Sequence, residues 1–169
     1  MLKNDKLLND PGDQSFVFAK DLFPVIEQLL AEGKQAVFTV TGMSMWPFIC
    51  HGRDQAVIES CNPRDLQKGD IVLVKRAPGS YMLHRITKLT DTALETTGDG
   101  CLHSDGEFPL DSVVAKCVVV IRKGKMYPCD KVIFKWYSKV WMLLYPLRKK
   151  VVKMIIFISE IKRIKHNNE

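Results

Sequence analysis

The chain has 169 residues, of which 46% are hydrophobic and 26% are charged. This composition fits one compact domain with a short appendage, because domains commonly contain about 100–150 residues, and it excludes a collagen-like or wholly disordered chain. The net charge of +6 is uneven, since the segment from Lys131 onward carries +8 and the residues before it carry −2.

The cysteines indicate neither a disulfide framework nor a metal site. They are odd in number, widely spaced and without a C-x-x-C pair: Cys50, Cys61, Cys101, Cys117 and Cys129. Cys50 and His51 are adjacent, but two neighbouring residues do not make a tetrahedral site. We therefore expect no metal, no cofactor and a reducing, intracellular setting.

The pattern of the N-terminal residues does not predict a signal peptide. Residues 1–12 contain only short apolar pairs, whereas a signal peptide needs a longer apolar core. No stretch approaches the ~18 apolar residues of a membrane-spanning helix. We expect a protein that is cytoplasmic or peripheral on the cytoplasmic membrane.

The first predicted element is a helix over residues 15–33, within an N-terminal helical segment of residues 1–34. Its apolar residues recur at three- and four-residue spacing, and Gly33 is a natural stop. Pro24 inside this run suggests a break or a late start of the helix.

A series of short strands follows, and it predicts a β-rich domain over residues 35–126. The predicted strands cover residues 36–40, 55–59, 70–75, 81–89, 93–97 and 113–122. Turn-like sequences separate them, among them residues 77–80 and 98–100. Many short strands with frequent turns indicate a mainly β fold, either a sandwich or a small, coiled, partly closed barrel.

The C-terminal segment, residues 127–169, reads as a basic amphipathic helical tail. Residues 131–165 have a helical pattern that is interrupted at Pro146, and they mix aromatic residues with lysines. Such a segment suits the surface of a membrane, but it equally suits a helix that packs on the barrel with a solvated basic face. Nucleic-acid binding is not expected, because no recognition motif accompanies the basic residues.

Residues 40–47 form the most informative window of the chain. Ser44 follows a strand and a turn that contains Gly42, an arrangement that exposes a hydroxyl at the end of a sheet. The backbone N–H groups near Gly42, Met43 and Met45 could stabilise the oxyanion of a tetrahedral acyl intermediate. A serine in such a turn is, without further support, only a turn residue.

A base for Ser44 is available at His84. A serine hydroxyl is a poor nucleophile until a base removes its proton. His84 lies in a predicted strand on the face of Met82 and Ile86, although a buried and satisfied histidine would also fit there. A carboxylate should orient the imidazole, and the first choice is Asp99 in a glycine-flanked turn, with Asp105 as the alternative.

Four short motifs together resemble the S24/S26 peptidase superfamily, which contains type I signal peptidases and the LexA-like self-cleaving proteins. They are Gly-Met-Ser-Met-x-Pro at 42–47, Lys-Gly-Asp-Ile-Val at 68–72, His-Arg-Ile at 84–86 and Gly-Asp-Gly at 98–100. The His-Arg pair resembles the archaeal and endoplasmic-reticulum type of signal peptidase, in which a Ser-His pair acts. The resemblance covers about residues 36–125.

This resemblance implies a coiled, partly closed β-barrel and a serine endopeptidase. Ser44 would be the nucleophile, His84 its base and Asp99 the assisting carboxylate. The peptide or protein substrate would lie extended along a strand edge, that of residues 35–41 or 81–89, and small side chains are expected near the cleaved bond.

The sequence departs from this family at several positions. Gly42 stands where many bacterial signal peptidases have an oxyanion-binding serine, and Gly100 stands where the family has asparagine. We expect no anchor helix, no helix-turn-helix and no Ala-Gly self-cleavage site. Three hypotheses therefore remain: a processing peptidase with a membrane-bound tail, a LexA-like self-processing regulator, and a catalytically silent β-domain that binds peptides or partner proteins.

Overall fold

The computed structural model describes residues 19–78 and 80–144, together with residues 147, 150, 151 and 154. Within residues 19–144, eight antiparallel strands form one sheet, which does not close on itself, and two α-helices accompany it. The elements are α1 (Ala19–Ala31), β1 (Ala36–Thr39), β2 (Asp54–Glu59), β3 (Ile71–Ala77), β4 (Ser80–Leu89), β5 (Ala93–Thr97), β6 (Glu107–Pro109), β7 (Val113–Arg122), β8 (Lys125–Pro128) and α2 (Val132–Leu143).

The predicted mainly β class is confirmed. The predicted strands at residues 93–97 and 113–122 coincide with β5 and β7, and the others differ by a few residues at their ends. β6 and β8 were not predicted. β8 also runs across the domain boundary predicted at residue 126.

The sheet has the strand order β1-β2-β7-β3-β4-β5-β6, and β8 pairs with β7 beside this path. Among the described strands, β1 lies at an edge of the sheet and pairs only with β2. β4 is not an edge strand, because it pairs with β3 and its second half also pairs with β5. The predicted edge at residues 81–89 is therefore wrong over Arg85–Leu89, whereas the ladder to β5 does not reach Tyr81–His84.

β3 explains how the sheet buries both of its faces. Ile71 and Leu73 belong to the larger apolar cluster, and Val72 and Val74 belong to a second cluster on the opposite face. Successive strand residues point to opposite faces, so a continuous apolar run marks a strand that is covered on both sides.

Both helices contribute to the larger apolar cluster. In α1, the Phe23 ring stacks on Tyr81 of β4 at a centroid distance of 4.2 Å and meets Phe38 of β1 edge-on. In α2, Phe134 enters the same cluster. The segments predicted at residues 1–34 and 127–169 thus supply side chains to the core of the β-rich part.

The helix predicted over residues 15–33 is present as α1, and Pro24 lies inside it. Of the helical tail predicted over residues 131–165, α2 accounts for Val132–Leu143. Residues 15–18 and most residues beyond 144 lie outside the described residues. Within the described part of the chain, no helix is both long and apolar enough to span a membrane.

Candidate active site

Ser44 lies in a turn that is fastened to the core on both sides. The turn begins at Gly42, whose φ of +86° is a conformation that glycine adopts without strain. Met45 and Ile49 follow Ser44 and are buried in the larger cluster. Ser44 itself remains partly exposed, so its backbone is held in place while its side chain stays accessible.

A buried carboxylate anchors the far end of this turn. Asp54 is fully buried and binds both Arg53 and Arg122, and it also accepts the N–H of Cys50 at 2.9 Å. Arg122 also donates to the carbonyl of Phe48. Burial raises the pKa of Asp54, but the hydrogen bonds from Arg53, Arg122 and Cys50 lower it by more, so the carboxylate stays ionised.

His84 is oriented by Asp105. The Nδ1 atom of His84 lies 2.6 Å from Oδ2 of Asp105, and both side chains are largely buried. Thr96 donates a second hydrogen bond to the same oxygen at 2.8 Å. Burial raises the pKa of Asp105, but the hydrogen bonds and charge of its neighbours, His84 first among them, outweigh burial and lower it.

The ionised Asp105 fixes the tautomer of His84. A carboxylate only accepts hydrogen bonds, so Nδ1 must carry the proton that lies between the two groups. The Nε2 atom then presents its lone pair on the other side of the ring. This is the form of imidazole that takes a proton from a hydroxyl.

Asp99, the first choice for the orienting carboxylate, has another partner. It forms a two-point ion pair with Arg85, with distances of 2.8 and 2.6 Å, and both side chains are fully buried. Residues 84 and 85 point to opposite faces of β4, so one carboxylate does not serve both. The prediction of Asp99 is corrected, and the alternative, Asp105, lies at the imidazole.

Arg85 joins Asp99 to α2 and to the loop before β3. Its Nη1 atom donates to the carbonyl of Gly69 at 2.9 Å and to the hydroxyl of Ser138 at 2.6 Å. The indole N–H of Trp141 donates to the carbonyl of Asp99 at 3.2 Å. Burial lowers the pKa of Arg85, but the attraction and hydrogen bonds of Asp99 raise it by more, so the guanidinium stays protonated.

Gly98 is the point at which the serine turn and the histidine meet. A Cβ atom on Gly98 would lie 2.4 Å from the carbonyl oxygen of Ser44 and 3.1 Å from Nε2 of His84. The free nitrogen of the imidazole and the backbone of Ser44 therefore approach the same side of one glycine. Only a residue without a side chain fits between them.

Gly100 fastens the same two segments together. Its N–H donates to the carbonyl of Ser44 at 2.7 Å. A Cβ atom here would lie 2.8 Å from the carbonyl oxygen of Trp46 and 3.0 Å from that of Met43. These contacts give a steric reason for the Gly-Asp-Gly motif, in which Asp99 anchors the turn and the two glycines allow its close approach.

The backbone N–H groups around Ser44 differ in whether they are free to bind an oxyanion. The N–H of Gly42 donates to Nδ1 of His51 at 3.0 Å, so the prediction that this donor helps to bind an oxyanion is corrected. The N–H groups of Met43, Ser44 and Met45 donate to no described residue. Three successive donors at one turn are a suitable environment for a developing negative charge.

Neither the Ser44 hydroxyl nor Nε2 of His84 forms a hydrogen bond with a residue that the structure describes, so the two groups are not hydrogen-bonded to each other. Catalytic hydrogen bonds of this kind are often long before substrate binds. The arrangement thus contains a nucleophile, a base with a fixed tautomer and a donor-rich turn. A separate apolar cavity of about 400 Å³ lies between β8 and α2 and includes none of these residues.

Several residues of the site were given no individual role from the sequence. Arg85 and Thr96 carry signals, because a charged or hydroxyl side chain within an apolar strand indicates a buried hydrogen-bond partner. The sequence indicates a buried partner for Asp54 less strongly, since this residue directly precedes a predicted apolar strand. Nothing in the sequence indicates that His51 binds Gly42.

No protein-family model matches the chain, and no curated protein matches it.

Proposed function

We propose that the protein is a serine endopeptidase in which Ser44 is the nucleophile, His84 the general base and Asp105 the orienting carboxylate. The proposal depends above all on the approach of Nε2 of His84 and the Ser44 backbone to Gly98, while Asp105 holds Nδ1 at 2.6 Å. The order of the motifs, which resembles the S24/S26 peptidases, supports it independently.

The proton path follows from the fixed tautomer of His84. The hydroxyl of Ser44 attacks the peptide carbonyl as its proton moves to Nε2, and the imidazolium then gives that proton to the leaving amine as the C–N bond breaks. Water next attacks the acyl-enzyme and loses a proton to Nε2. That proton returns to Ser44 as the ester bond breaks, which restores the starting state.

The transition state needs stabilisation of the carbonyl oxygen. The N–H groups of Met43, Ser44 and Met45 are the candidates, because the Gly42 N–H is occupied by His51. Loss of one oxyanion donor commonly lowers kcat by about 10²–10³-fold. Backbone donors replace the serine that many bacterial signal peptidases carry at the position of Gly42.

The substrate is an extended peptide that adds a strand to the edge of β1. Of the strands that the structure describes, β1 pairs with β2 alone, and the chain reaches Ser44 five residues after Thr39. Main-chain hydrogen bonds to such an edge supply affinity without a sequence requirement. The unpaired side of Tyr81–Leu83 in β4 provides a second wall, because the ladder to β5 begins only at Arg85.

We also propose that the open sheet is a coiled, partly closed β-barrel. α1 contacts both β1 and β4, which lie on either side of three other strands in the open sheet. Strong coiling of the sheet would bring β1 and β4 towards each other beneath α1. The resulting shape corresponds to the partly closed barrel of the signal-peptidase and LexA type.

Covalent labelling tests the proposal. The full chain is treated with a fluorophosphonate, and the adduct is mapped by peptide mass spectrometry in wild type, Ser44→Ala and His84→Ala. We expect one adduct on Ser44 and its loss in both variants, since nucleophile and base act as one unit. Ser112→Ala removes a hydroxyl that donates to the carbonyl of Pro109, and His103→Ala removes an exposed imidazole; both are the matched controls and should label like wild type.

The alternatives give different results. An adduct that persists in His84→Ala would show that the imidazole does not activate Ser44, and no adduct with or without lipid would favour a catalytically silent, peptide-binding domain. An active enzyme that cleaves its own chain and no added peptide would favour the LexA-like hypothesis. Each of these results would overturn the proposed endopeptidase.

A further inference from the structure

The outward side of α2 and the adjoining β7–β8 hairpin carry a group of exposed apolar side chains. Val132 and Ile133 are 83% and 78% exposed, and the remaining members of this apolar face are Met126, Tyr127, Trp136 and Leu143. Val132, Trp136 and Leu143 lie at helical spacings of four and seven residues, so they share one side of α2.

The opposite side of α2 is buried in the protein. Phe134, Ser138 and Trp141 point inward, and the last two hold Arg85 and Asp99. The apolar face is therefore not the edge of the side of α2 that packs against the core. One side of α2 already packs against the rest of the protein, so the apolar face is a second apolar surface of this helix. Exposed apolar surfaces of this kind commonly mark an interaction site.

The hairpin and α2 form one continuous surface. Met126, Tyr127 and Ile133 line the same cavity of about 400 Å³, together with the aromatic residues Phe48, Phe134 and Tyr137. The cavity is large enough for several methylene groups, and its lining is mostly apolar. Apolar chains that lie against this face therefore have a place to enter.

Lysines surround the apolar face. Residues 123–144 contain one acidic residue, Asp130, against five exposed lysines: Lys123, Lys125, Lys131, Lys135 and Lys139. None of these lysines forms an ion pair with a described residue. The surface therefore combines exposed apolar area with uncompensated positive charge.

We infer that this face docks on an anionic lipid bilayer. An interfacial helix has this composition, with aromatic and aliphatic side chains at the acyl boundary and lysines that reach the lipid phosphates. A protein partner is disfavoured by the lysines, because the cores of protein interfaces are depleted in them. The inference does not depend on the proposed peptidase activity.

Vesicle co-sedimentation of the full chain tests the inference. Vesicles of phosphatidylcholine with phosphatidylserine are compared with vesicles of phosphatidylcholine alone. We expect sedimentation with the anionic vesicles, a loss of roughly tenfold or more in Trp136→Ser/Ile133→Ser, and a loss of roughly fivefold for each of Lys135→Gln and Lys139→Gln.

Val25→Ser is the matched control, because Val25 is also exposed but lies on α1. It should bind like wild type, and circular dichroism should show all variants folded. Failure of wild type to sediment with anionic vesicles would overturn the inference in favour of a protein partner. Wild-type binding by Trp136→Ser/Ile133→Ser would overturn it equally, since another part of the chain would then be the lipid-binding surface.

Discussion

Oδ2 of Asp105 lies 2.6 Å from Nδ1 of His84, and the next residue of the strand, Arg85, is paired with Asp99 on the opposite face. Two adjacent side chains of β4 thus have separate carboxylates. One pair is next to the Ser44 turn and is partly open to solvent, whereas the other is fully buried between the sheet and α2. The two aspartates should therefore differ in what their loss does.

Asp105→Asn should abolish function without unfolding the protein. An amide retains a hydrogen bond to Nδ1 but no longer selects the tautomer or stabilises the imidazolium, which in a catalytic triad costs about 10³–10⁴-fold in rate. We expect a fall of that order in the rate of fluorophosphonate labelling of Ser44. The free energy of unfolding should change by no more than about 1 kcal/mol.

Asp99→Asn should have the opposite effect and serves as the comparison. Removal of one partner from a buried ion pair leaves an uncompensated charge, at a cost of about 3–5 kcal/mol. Urea denaturation should show this loss for Asp99→Asn. The assignment of roles would be wrong if Asp99→Asn were stable and unlabelled while Asp105→Asn labelled normally.

The sequence alone ranked Asp99 before Asp105 as the partner of His84, and the structure reverses this order for a reason that lies in the strand geometry. Asp99 stands in the motif and is nearer to His84 in the chain, but β5 pairs Thr97 with Arg85 and so brings the following turn to the arginine side of β4. Asp105 returns to the histidine side through its backbone bond to Thr96. The position of Asp105 beside His84 therefore depends on the register of three strands, and this register cannot be derived from the spacing of the motifs.

Gly98→Ala should disrupt the candidate site through a direct clash. The added Cβ atom would lie 2.4 Å from the Ser44 carbonyl oxygen, closer than two such atoms approach, so the serine turn must move. A displacement of about 1 Å at reacting groups commonly costs about 10²-fold in rate. We expect at least that reduction in the labelling of Ser44.

Gly124→Ala is the control for a glycine substitution as such. Gly124 has a φ of +74° in the β7–β8 hairpin, and nothing lies near its would-be Cβ atom. The change should cost about 1–2 kcal/mol of stability and leave labelling unchanged. Normal labelling of Gly98→Ala would mean that Ser44 and His84 do not meet at Gly98.

The strands were more predictable than the tail, and the difference has a physical cause. β3, β5 and β7 are bounded by turn residues and have clear β-type patterns, so their positions follow from local sequence. β8 is only four residues long, and it exists because Lys123 and Gly124 both adopt positive φ and fold it back on β7. In α2, Trp136 faces outward and Trp141 inward, a distinction that depends on where Arg85 and Asp99 lie.

The stability of the serine turn should depend on pH through Asp54. Its pKa is depressed in the folded state, so folding gains free energy from the ionised form at any pH above about 4, the ordinary pKa of the residue. This gain disappears as the pH falls below 4 through the folded-state pKa. Asp54→Asn weakens the hydrogen bonds from the two arginines and should therefore cost about 1.5–3 kcal/mol at neutral pH.

Urea denaturation at a series of pH values measures this difference. The gap between wild type and Asp54→Asn should be constant from neutral pH to about pH 5 and should narrow below about pH 4. Asp91→Asn removes the same charge from an exposed turn, and its stability should remain parallel to that of wild type. A gap that widened as the pH fell would contradict the assignment.

Ser138→Ala should weaken the attachment of α2 to the site. The hydroxyl accepts a hydrogen bond from Nη1 of the buried Arg85 at 2.6 Å, and alanine leaves this donor with the carbonyl of Gly69 alone. A lost hydrogen bond to a charged group costs about 1–3 kcal/mol. Lys139→Ala, at the exposed neighbouring position, should change stability by no more than about 0.5 kcal/mol. Equal urea midpoints for the two variants would show that the hydrogen bond between Ser138 and Arg85 does not help to hold α2 on the sheet.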